Sequence, residues 1–176
     1  MSSRNLALAA AFALAASGAL AQAPKFGAPA SEADIAAWNT EISPDGAGLP
    51  PGQGSVAEGE KIFAAKCQAC HGEKGAGKPN DQLVGGFGTL ATPDKPAVKT
   101  VGSYWPYATT LFDYTRRAMP WTAPKSLSDQ EVYAIAAYIL HLNDIVPADA
   151  VMNAQTLPKV AMPNREGFTP FPRSAR

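Results

Sequence analysis

The sequence predicts an all-α fold, and three local patterns lead to that prediction. Residues 55–58 (Ser-Val-Ala-Glu) and 128–131 (Ser-Asp-Gln-Glu) both have the pattern of a helix capping box. Apolar residues follow the second box at i, i+3, i+4 and i+7, the spacing of one helical stripe: Val132, Ile135, Ala136 and Ile139. The segment Cys67-Gln68-Ala69-Cys70-His71 comes directly after the first predicted helix. We therefore expect helices on both sides of this cysteine–histidine motif.

The elements that precede the motif follow from caps, prolines and glycines. Residues 31–40 predict a short helix that Ser31 caps, with Ile35 and Trp38 on one face. Residues 43–54 are rich in Pro and Gly and predict a linker. The helix that opens after Ser55 runs into the motif, and three glycines then end it: Gly72, Gly75 and Gly77.

Two further helices follow the motif. Residues 104–117 predict a helix that the chain enters through Pro106 and that ends near Ala118. The helix that begins after Ser128 reaches about Leu142, and Pro147 stops it. The last thirty residues predict an extended tail because they contain four more prolines: Pro158, Pro163, Pro170 and Pro172.

The C-x-x-C-H motif is the attachment sequence of a c-type haem. Two thiols three positions apart on a helical turn, Cys67 and Cys70, can reach the two vinyl groups of one porphyrin. His71 is then placed to ligate the iron from one side. The motif therefore predicts a covalently held haem c and, with it, electron transfer.

A C-x-x-C pair has three other interpretations. A zinc site needs four ligands, so it would use every cysteine and histidine of the chain: Cys67, Cys70, His71 and His141. A thioredoxin-like redox pair should follow a strand, whereas residues 56–66 look helical. A structural disulfide is the third interpretation. We take haem attachment as the leading hypothesis, and the alternatives stay open at this point.

The first 21 residues have the pattern of a secretory signal peptide. A positive charge precedes an apolar run over residues 6–16, and small residues then form two Ala-x-Ala sites. We expect cleavage after Ala21 rather than Ala23, because Pro24 follows the second site and should obstruct the peptidase. The run is too short to span a bilayer, with an uncleaved anchor as the alternative. Secretion predicts a periplasmic protein, because haem c is attached outside the bacterial cytoplasm.

Composition and the positions of the prolines and glycines divide the rest of the chain into three segments. We predict an N-terminal extension over residues 22–54, a haem domain over 55–146 and the proline-rich tail over 147–176. The chain has 176 residues and a formal net charge of zero, and nothing basic marks a nucleic-acid surface. Sixteen prolines and fifteen glycines imply much ordered loop around an apolar cofactor.

Met119 is the best candidate for the ligand on the opposite face of the iron. A thioether there raises the reduction potential, because it stabilises ferrous iron better than a second imidazole does. Met119 lies in a predicted loop between two helices, and Pro120 stiffens that loop. Met152, Met162 and His141 are weaker candidates, and an open sixth position is a further alternative.

Aromatic and basic residues near Met119 are candidates for the walls of the haem site. Arg116 and Arg117 either pair with haem propionates or are exposed cations at a helix end. Five aromatic residues either wall the porphyrin or belong to an ordinary core: Tyr104, Trp105, Tyr107, Tyr114 and Trp121.

Over residues 55–146 the order of helix, C-x-x-C-H, glycine-bearing loop, Met-Pro and final helix resembles a class I cytochrome c. Residues 83–86 (Leu-Val-Gly-Gly) are similar to that family's loop before the methionine. This resemblance implies the class I cytochrome c fold around one covalent haem, with extended segments at both ends.

A narrower resemblance covers most of the chain after residue 21. Residues 102–108 (Gly-Ser-Tyr-Trp-Pro-Tyr-Ala) and 112–120 (Phe-Asp-Tyr-Thr-Arg-Arg-Ala-Met-Pro) resemble the cytochrome subunit of the sulfur dehydrogenase of the Sox system. Residues 48–52 and 142–146 do so too. Members of that family act beside a molybdenum-cofactor subunit similar to sulfite oxidase, which oxidises the sulfur compound. They are often longer, with a second haem domain, whereas this chain has one C-x-x-C-H.

The sequence thus predicts a monohaem cytochrome c that does no substrate chemistry itself. It would accept electrons from a molybdenum-containing sulfite or sulfur dehydrogenase subunit and pass them to a downstream cytochrome or oxidase. We expect the terminal extensions to wrap the catalytic subunit. The rival interpretations are a general periplasmic electron carrier and a haem enzyme acting on a small sulfur compound or peroxide.

Overall fold

The computed structural model of the chain describes residues 27–92, 94 and 96–168. The predicted signal peptide lies outside the described residues. The chain divides into two units, Met1–Thr40 and Glu41–Arg176. Six α-helices occur in the described ranges: α1 Glu32–Trp38, α2 Val56–Lys66, α3 Gln68–His71, α4 Val101–Tyr104, α5 Ala108–Ala118 and α6 Asp129–Leu142.

Reciprocal side-chain caps start the helices that the sequence predicted best. Ser55 begins α2, where the Glu58 amide donates to Ser55 Oγ at 3.3 Å and the Ser55 amide donates to Glu58 Oε2 at 2.8 Å. Ser128 and Glu131 form the same pair of bonds at the start of α6. These two helices are confirmed, as is α1 with its box at Ser31.

The predicted helix over residues 104–117 is wrong at its start, because Tyr104 ends α4 and the chain is not helical again until α5. Pro106 has no amide hydrogen, and its ring keeps the preceding residue out of the helical region. Trp105 accordingly has an extended backbone, with φ −72° and ψ 130°, and α5 begins only at Ala108.

Helix α6 is the centre of the second unit. The sequence predicts one apolar stripe, but all nine residues over 132–140 are buried. The helix ends at Leu142, five residues before Pro147, because Asp144 adopts a positive φ of 55° and its amide donates to the His141 carbonyl. The core therefore surrounds α6 rather than lying against one face.

Helix α2 crosses α6 at very short range. A Cβ placed on Gly59 would lie 1.9 Å from the Ala134 carbonyl oxygen, so only glycine permits this approach. Beyond the crossing, Lys66 Nζ donates to Glu131 Oε1 at 2.6 Å. That bond, together with the backbone bond from Ser128, holds the pKa of Glu131 below its ordinary value. The crossing fixes the end of α2, where the cysteine motif begins.

The segment after α6 packs on the core instead of extending away as the sequence suggests. Strand β1 (Gln53–Ser55) pairs antiparallel with β2 (Val151–Asn153), with Gly54 opposite Met152. Four apolar side chains of the segment are buried: Met152, Leu157, Val160 and Met162. This small sheet is the one β element of the described ranges, and it joins the segment before α2 to the segment after α6. Within those ranges, no helix combines the length and the apolar character that crossing a bilayer requires.

Tyr133 connects α6 to the segment before β1. Its ring is fully buried, and its hydroxyl donates to the Pro50 carbonyl at 2.8 Å. We expect Tyr133→Phe to lower the free energy of unfolding at neutral pH by about 1–2 kcal/mol, since the carbonyl loses its buried partner. Burial raises the pKa of Tyr133 from 10.0 to about 12.

The same substitution should change the alkaline limb of stability. Between pH 10 and 12 the folded phenol keeps a proton that the unfolded one loses, so stability falls as pH rises. Tyr133→Phe removes this contribution and flattens the fall. Urea unfolding of both proteins across that pH range measures the effect, and parallel alkaline limbs would exclude Tyr133 as the titrating group.

Candidate haem site

The two cysteines lie on consecutive turns at the end of α2. Cys67 caps α2, its amide donating to the Phe63 carbonyl at 2.9 Å. The amides of Cys70 and His71 both donate to the Cys67 carbonyl, at 3.1 and 3.0 Å. This turn, completed by α3, places both cysteines next to His71.

Both cysteines are free thiols, but their surroundings differ. Cys67 is half-buried and packs against the core, whereas Cys70 is exposed. Burial raises the pKa of the Cys67 thiol to about 11. The Cys67 thiol is therefore held against the core, whereas the Cys70 thiol is accessible to solvent.

A backbone carbonyl orients the His71 imidazole. The Nδ1–H group donates to the Asp81 carbonyl oxygen at 2.9 Å. A donor bond at Nδ1 fixes the ring orientation and leaves Nε2 as the basic nitrogen, the arrangement that metal-binding histidines use. Neither the motif nor the residue type of Asp81 indicated this contact, since any residue supplies a carbonyl.

The loop after His71 folds back on the motif. The Gly77 amide donates to the His71 carbonyl at 2.7 Å, and the Asn80 amide donates to the Cys70 carbonyl at 2.9 Å. A Cβ on Gly72 would lie 2.3 Å from the Gly77 carbonyl oxygen, and Gly72 has a φ of 76°. Glycine is therefore required at Gly72, and the tight loop brings Asp81 beside the imidazole.

Met119 follows the last residue of α5. It is half-buried, and its amide donates to the Thr115 carbonyl at 3.1 Å. Met152 and Met162 are buried in the core, the ordinary role of methionine. The His141 imidazole bonds to the Val146 carbonyl at 3.1 Å. Of the three methionines considered as the sixth ligand, Met152 and Met162 belong to the buried core and Met119 does not.

The other candidate wall residues do not form one cluster. Trp105 packs edge-on against Tyr114, with ring centroids 5.8 Å apart. Tyr104 contacts Phe168, and Tyr107 lies beneath the Arg165 guanidinium. The two candidate arginines pair with carboxylates, Arg116 with Asp129 at 2.8 Å and Arg117 with Asp113. These ion pairs favour a structural role for both arginines.

None of the three other interpretations of the motif fits the geometry. Cys67, Cys70, His71 and His141 all belong to the described residues, yet no group of three or more His, Cys, Asp or Glu side chains there could hold a metal ion. Neither cysteine forms a disulfide. The segment before the motif is α2 rather than a strand, so the thioredoxin-like pattern is also absent.

The residues present fit a covalent haem. One turn carries two free thiols, and His71 keeps Nε2 unengaged by its bond to Asp81. Between the motif and the end of the Met119 loop, four large apolar side chains are exposed: Phe87, Leu90, Tyr114 and Trp121. Trp121 is 77% exposed, and an apolar group bound beside it would cover that surface.

Similarity to known proteins decides the family. The family description "Cytochrome C oxidase, cbb3-type, subunit III" matches residues 54–139. The crystal structure of the sulfane dehydrogenase SoxCD from Paracoccus pantotrophus contains a chain that is 42% identical and superposes with a TM-score of 0.77. The match covers 86% of this chain and 74% of that one. The chain is a class I cytochrome c of the Sox-related family. Its cofactor is covalently bound haem c, and the all-α class I fold is confirmed.

A curated relative adds a second link to sulfur chemistry. The cytochrome is 35% identical over 108 residues to a thiosulfate dehydrogenase from Psychrobacter arcticus. That match covers 57% of this chain and 31% of the relative, so the chain spans about a third of the relative's length.

Proposed function

We propose that this cytochrome is the electron-accepting subunit of a molybdenum-containing sulfite or sulfur dehydrogenase. It would pass the electrons to a downstream cytochrome or oxidase. The observation that carries the proposal is the 42% identity over 86% of the chain to a chain of the sulfane dehydrogenase SoxCD. A match over 86% of the chain extends beyond the predicted haem domain into the flanking segments. A contact specific to the catalytic subunit would lie in those segments.

The residues of the site divide the work of holding the haem. Cys67 and Cys70 would hold the haem covalently through thioethers, and His71 and Met119 would ligate its iron. The haem supplies one-electron chemistry when it is bound. Asp81 holds the imidazole ring through its carbonyl oxygen, and the α2–α6 crossing fixes the turn that carries the cysteines. The thioether of Met119 would raise the reduction potential, which favours accepting electrons.

The proposal places the protein in the periplasm. Residues 1–21 would direct export and be removed after Ala21, where the small residues of the first Ala-x-Ala site lie. After export, the two free cysteines would be available for haem attachment.

The segment we assign to partner binding is narrower than the sequence suggests. Residues 41–54 and 147–168 contribute to the core of the haem domain, through Ile42 and Leu49 on one side and Leu157 on the other. Removing both extensions whole would therefore damage the domain itself. Residues 22–40 can be deleted separately, because α1 belongs to the first unit and not to the unit that contains α2 to α6.

Deletion of residues 22–40 should leave the haem spectrum and the melting temperature unchanged within error. It should lower recovery of the catalytic subunit about tenfold when the two are co-expressed and the cytochrome is purified by affinity, since loss of 1.4 kcal/mol of contact changes binding tenfold. The double variant Ile35→Ala and Trp38→Ala removes the two exposed apolar side chains of α1 without shortening the chain, and it should lower recovery in the same direction. Full recovery of the complex by the deletion variant would remove the partner-binding role of this segment.

A second function has one observation in its favour, the likeness to a thiosulfate dehydrogenase. In that case the haem itself would meet the sulfur compound, which requires an open, displaceable or thiolate sixth ligand. The chain has two cysteines, and both are used by the motif. A general electron carrier is the remaining rival, and it would form no stable complex with a catalytic subunit.

A further inference from the structure

Asn143 is a buried polar side chain that neither the motif nor the family comparison assigns. It follows α6 directly and is 2% exposed. Its Nδ2 group donates to the carbonyls of Leu83 and Ile139, at 3.2 and 2.9 Å. Its Oδ1 atom accepts the Gly85 amide at 3.0 Å. The amide therefore uses both donor hydrogens and one acceptor position, and two of the three bonds hold the strip of residues 83–85.

The same strip is held from its other side by the start of α4. Thr100 Oγ1 donates to the Gly85 carbonyl at 2.6 Å, and the Val101 amide donates to the Leu83 carbonyl at 3.3 Å. A Cβ on Gly102 would lie 2.2 Å from Asn143 Oδ1, so glycine at this position leaves the room that the side-chain amide occupies. Asn143 thus sits in a site built to receive it.

The strip begins two residues after the carbonyl that orients His71. Asp81 accepts the imidazole Nδ1–H at 2.9 Å, and the Leu83 amide donates to the Gly75 carbonyl at 2.8 Å. One residue, Gln82, separates the anchored strip from the orienting carbonyl, so displacement of the strip displaces that carbonyl. The end of α6 is therefore connected to the His71 imidazole by hydrogen bonds through Asn143, the strip and the Asp81 carbonyl.

We propose that Asn143 is a positioning residue for the axial imidazole. It fixes the strip that holds the Asp81 carbonyl against His71 and thereby strengthens the Nδ1–H bond. This inference rests on the proposed role of His71 as an iron ligand. A strong donor bond at Nδ1 makes the imidazole more basic and stabilises ferric iron, so Asn143 acts on the reduction potential without touching the haem ligands.

The test compares Asn143→Ala with the wild-type holoprotein. The substitution should raise the reduction potential, because a looser Asp81 carbonyl leaves His71 a poorer donor. Exchange of the His71 Nδ1 proton, followed by NMR, should become about tenfold faster. Tyr133→Phe is the matched control, since it removes a different buried bond from α6 to a backbone carbonyl, at Pro50. The control should lose stability with its potential and imidazole exchange unchanged.

The outcomes separate this inference from the ligand assignment. A lower melting temperature of Asn143→Ala with unchanged potential and unchanged imidazole exchange would overturn the positioning role. If the wild-type protein itself shows no iron-bound imidazole signal from His71, the ligand assignment fails instead.

A measurement on the wild type covers the case in which Asn143→Ala does not fold. The Gly85 amide and the His71 Nδ1 proton should exchange through the same opening, with the same dependence of the rate on denaturant. Different dependences would mean that the strip and the imidazole move separately, and the proposal would be wrong.

Discussion

Replacing Met119 by leucine should abolish the weak near-infrared absorption band of sulfur-to-iron coordination and lower the reduction potential. Leucine keeps the volume of the side chain but removes the thioether. If Met119 is the proposed ligand, ferrous iron would lose the group that stabilises it, and axial ligands control a span of about 0.8 V in the reduction potential. Oxidised and reduced optical spectra and a redox titration of the periplasmically expressed protein measure both effects.

A second methionine provides the matched control. Met162 is buried in the core and 3% exposed, so Met162→Leu should keep both the band and the potential. The folded state should tolerate either change, because leucine and methionine are close in volume. Survival of the band in Met119→Leu would assign the sixth ligand to another group, and the haem-enzyme interpretation would then gain support.

The largest loss of stability should come from Gly59→Ala. In an exposed helix this change normally stabilises by about 1 kcal/mol, because glycine is the more flexible residue. Here the new Cβ would lie 1.9 Å from the Ala134 carbonyl oxygen and 2.7 Å from Tyr138 Cβ. The helices α2 and α6 must separate, so we expect a loss of about 3 kcal/mol in the free energy of unfolding.

Guanidinium unfolding of the ferric protein measures this change. Ala64→Gly provides the control for helix propensity, because Ala64 is an exposed residue of the same helix. That control should cost about 1 kcal/mol. If Gly59→Ala instead stabilises the protein, the close crossing of α2 and α6 does not exist in solution.

Local signals predicted the starts of the main helices. A capping box is complete within four residues, so Ser55 and Ser128 predict the starts of α2 and α6 from the sequence alone. The break at Trp105 was missed because Pro106 suits both the first turn of a helix and the end of the previous one. The pairing of β1 with β2 joins residues nearly a hundred positions apart, and neither strand is long enough to show alternation.

The haem site likewise has one part that the sequence predicts and one part that only the structure shows. The spacing of Cys67, Cys70 and His71 is itself the signal, so the motif could be found without a structure. The Asp81 contact could not, because the acceptor is a backbone carbonyl that carries no residue signature. Asn143 was also missed, since one asparagine at a helix end normally indicates a cap rather than a tie to a distant loop.

We propose that electrons reach this haem from a separate sulfur-oxidising subunit. Anaerobic mixing of the oxidised cytochrome with the molybdenum-containing catalytic subunit and with thiosulfate or sulfite, while the haem absorbance is recorded, tests this proposal. The haem should be reduced only when both the subunit and a sulfur compound are present, at a rate that saturates with subunit concentration. Equally fast reduction by the sulfur compound alone, or no reduction with the subunit present, would contradict it.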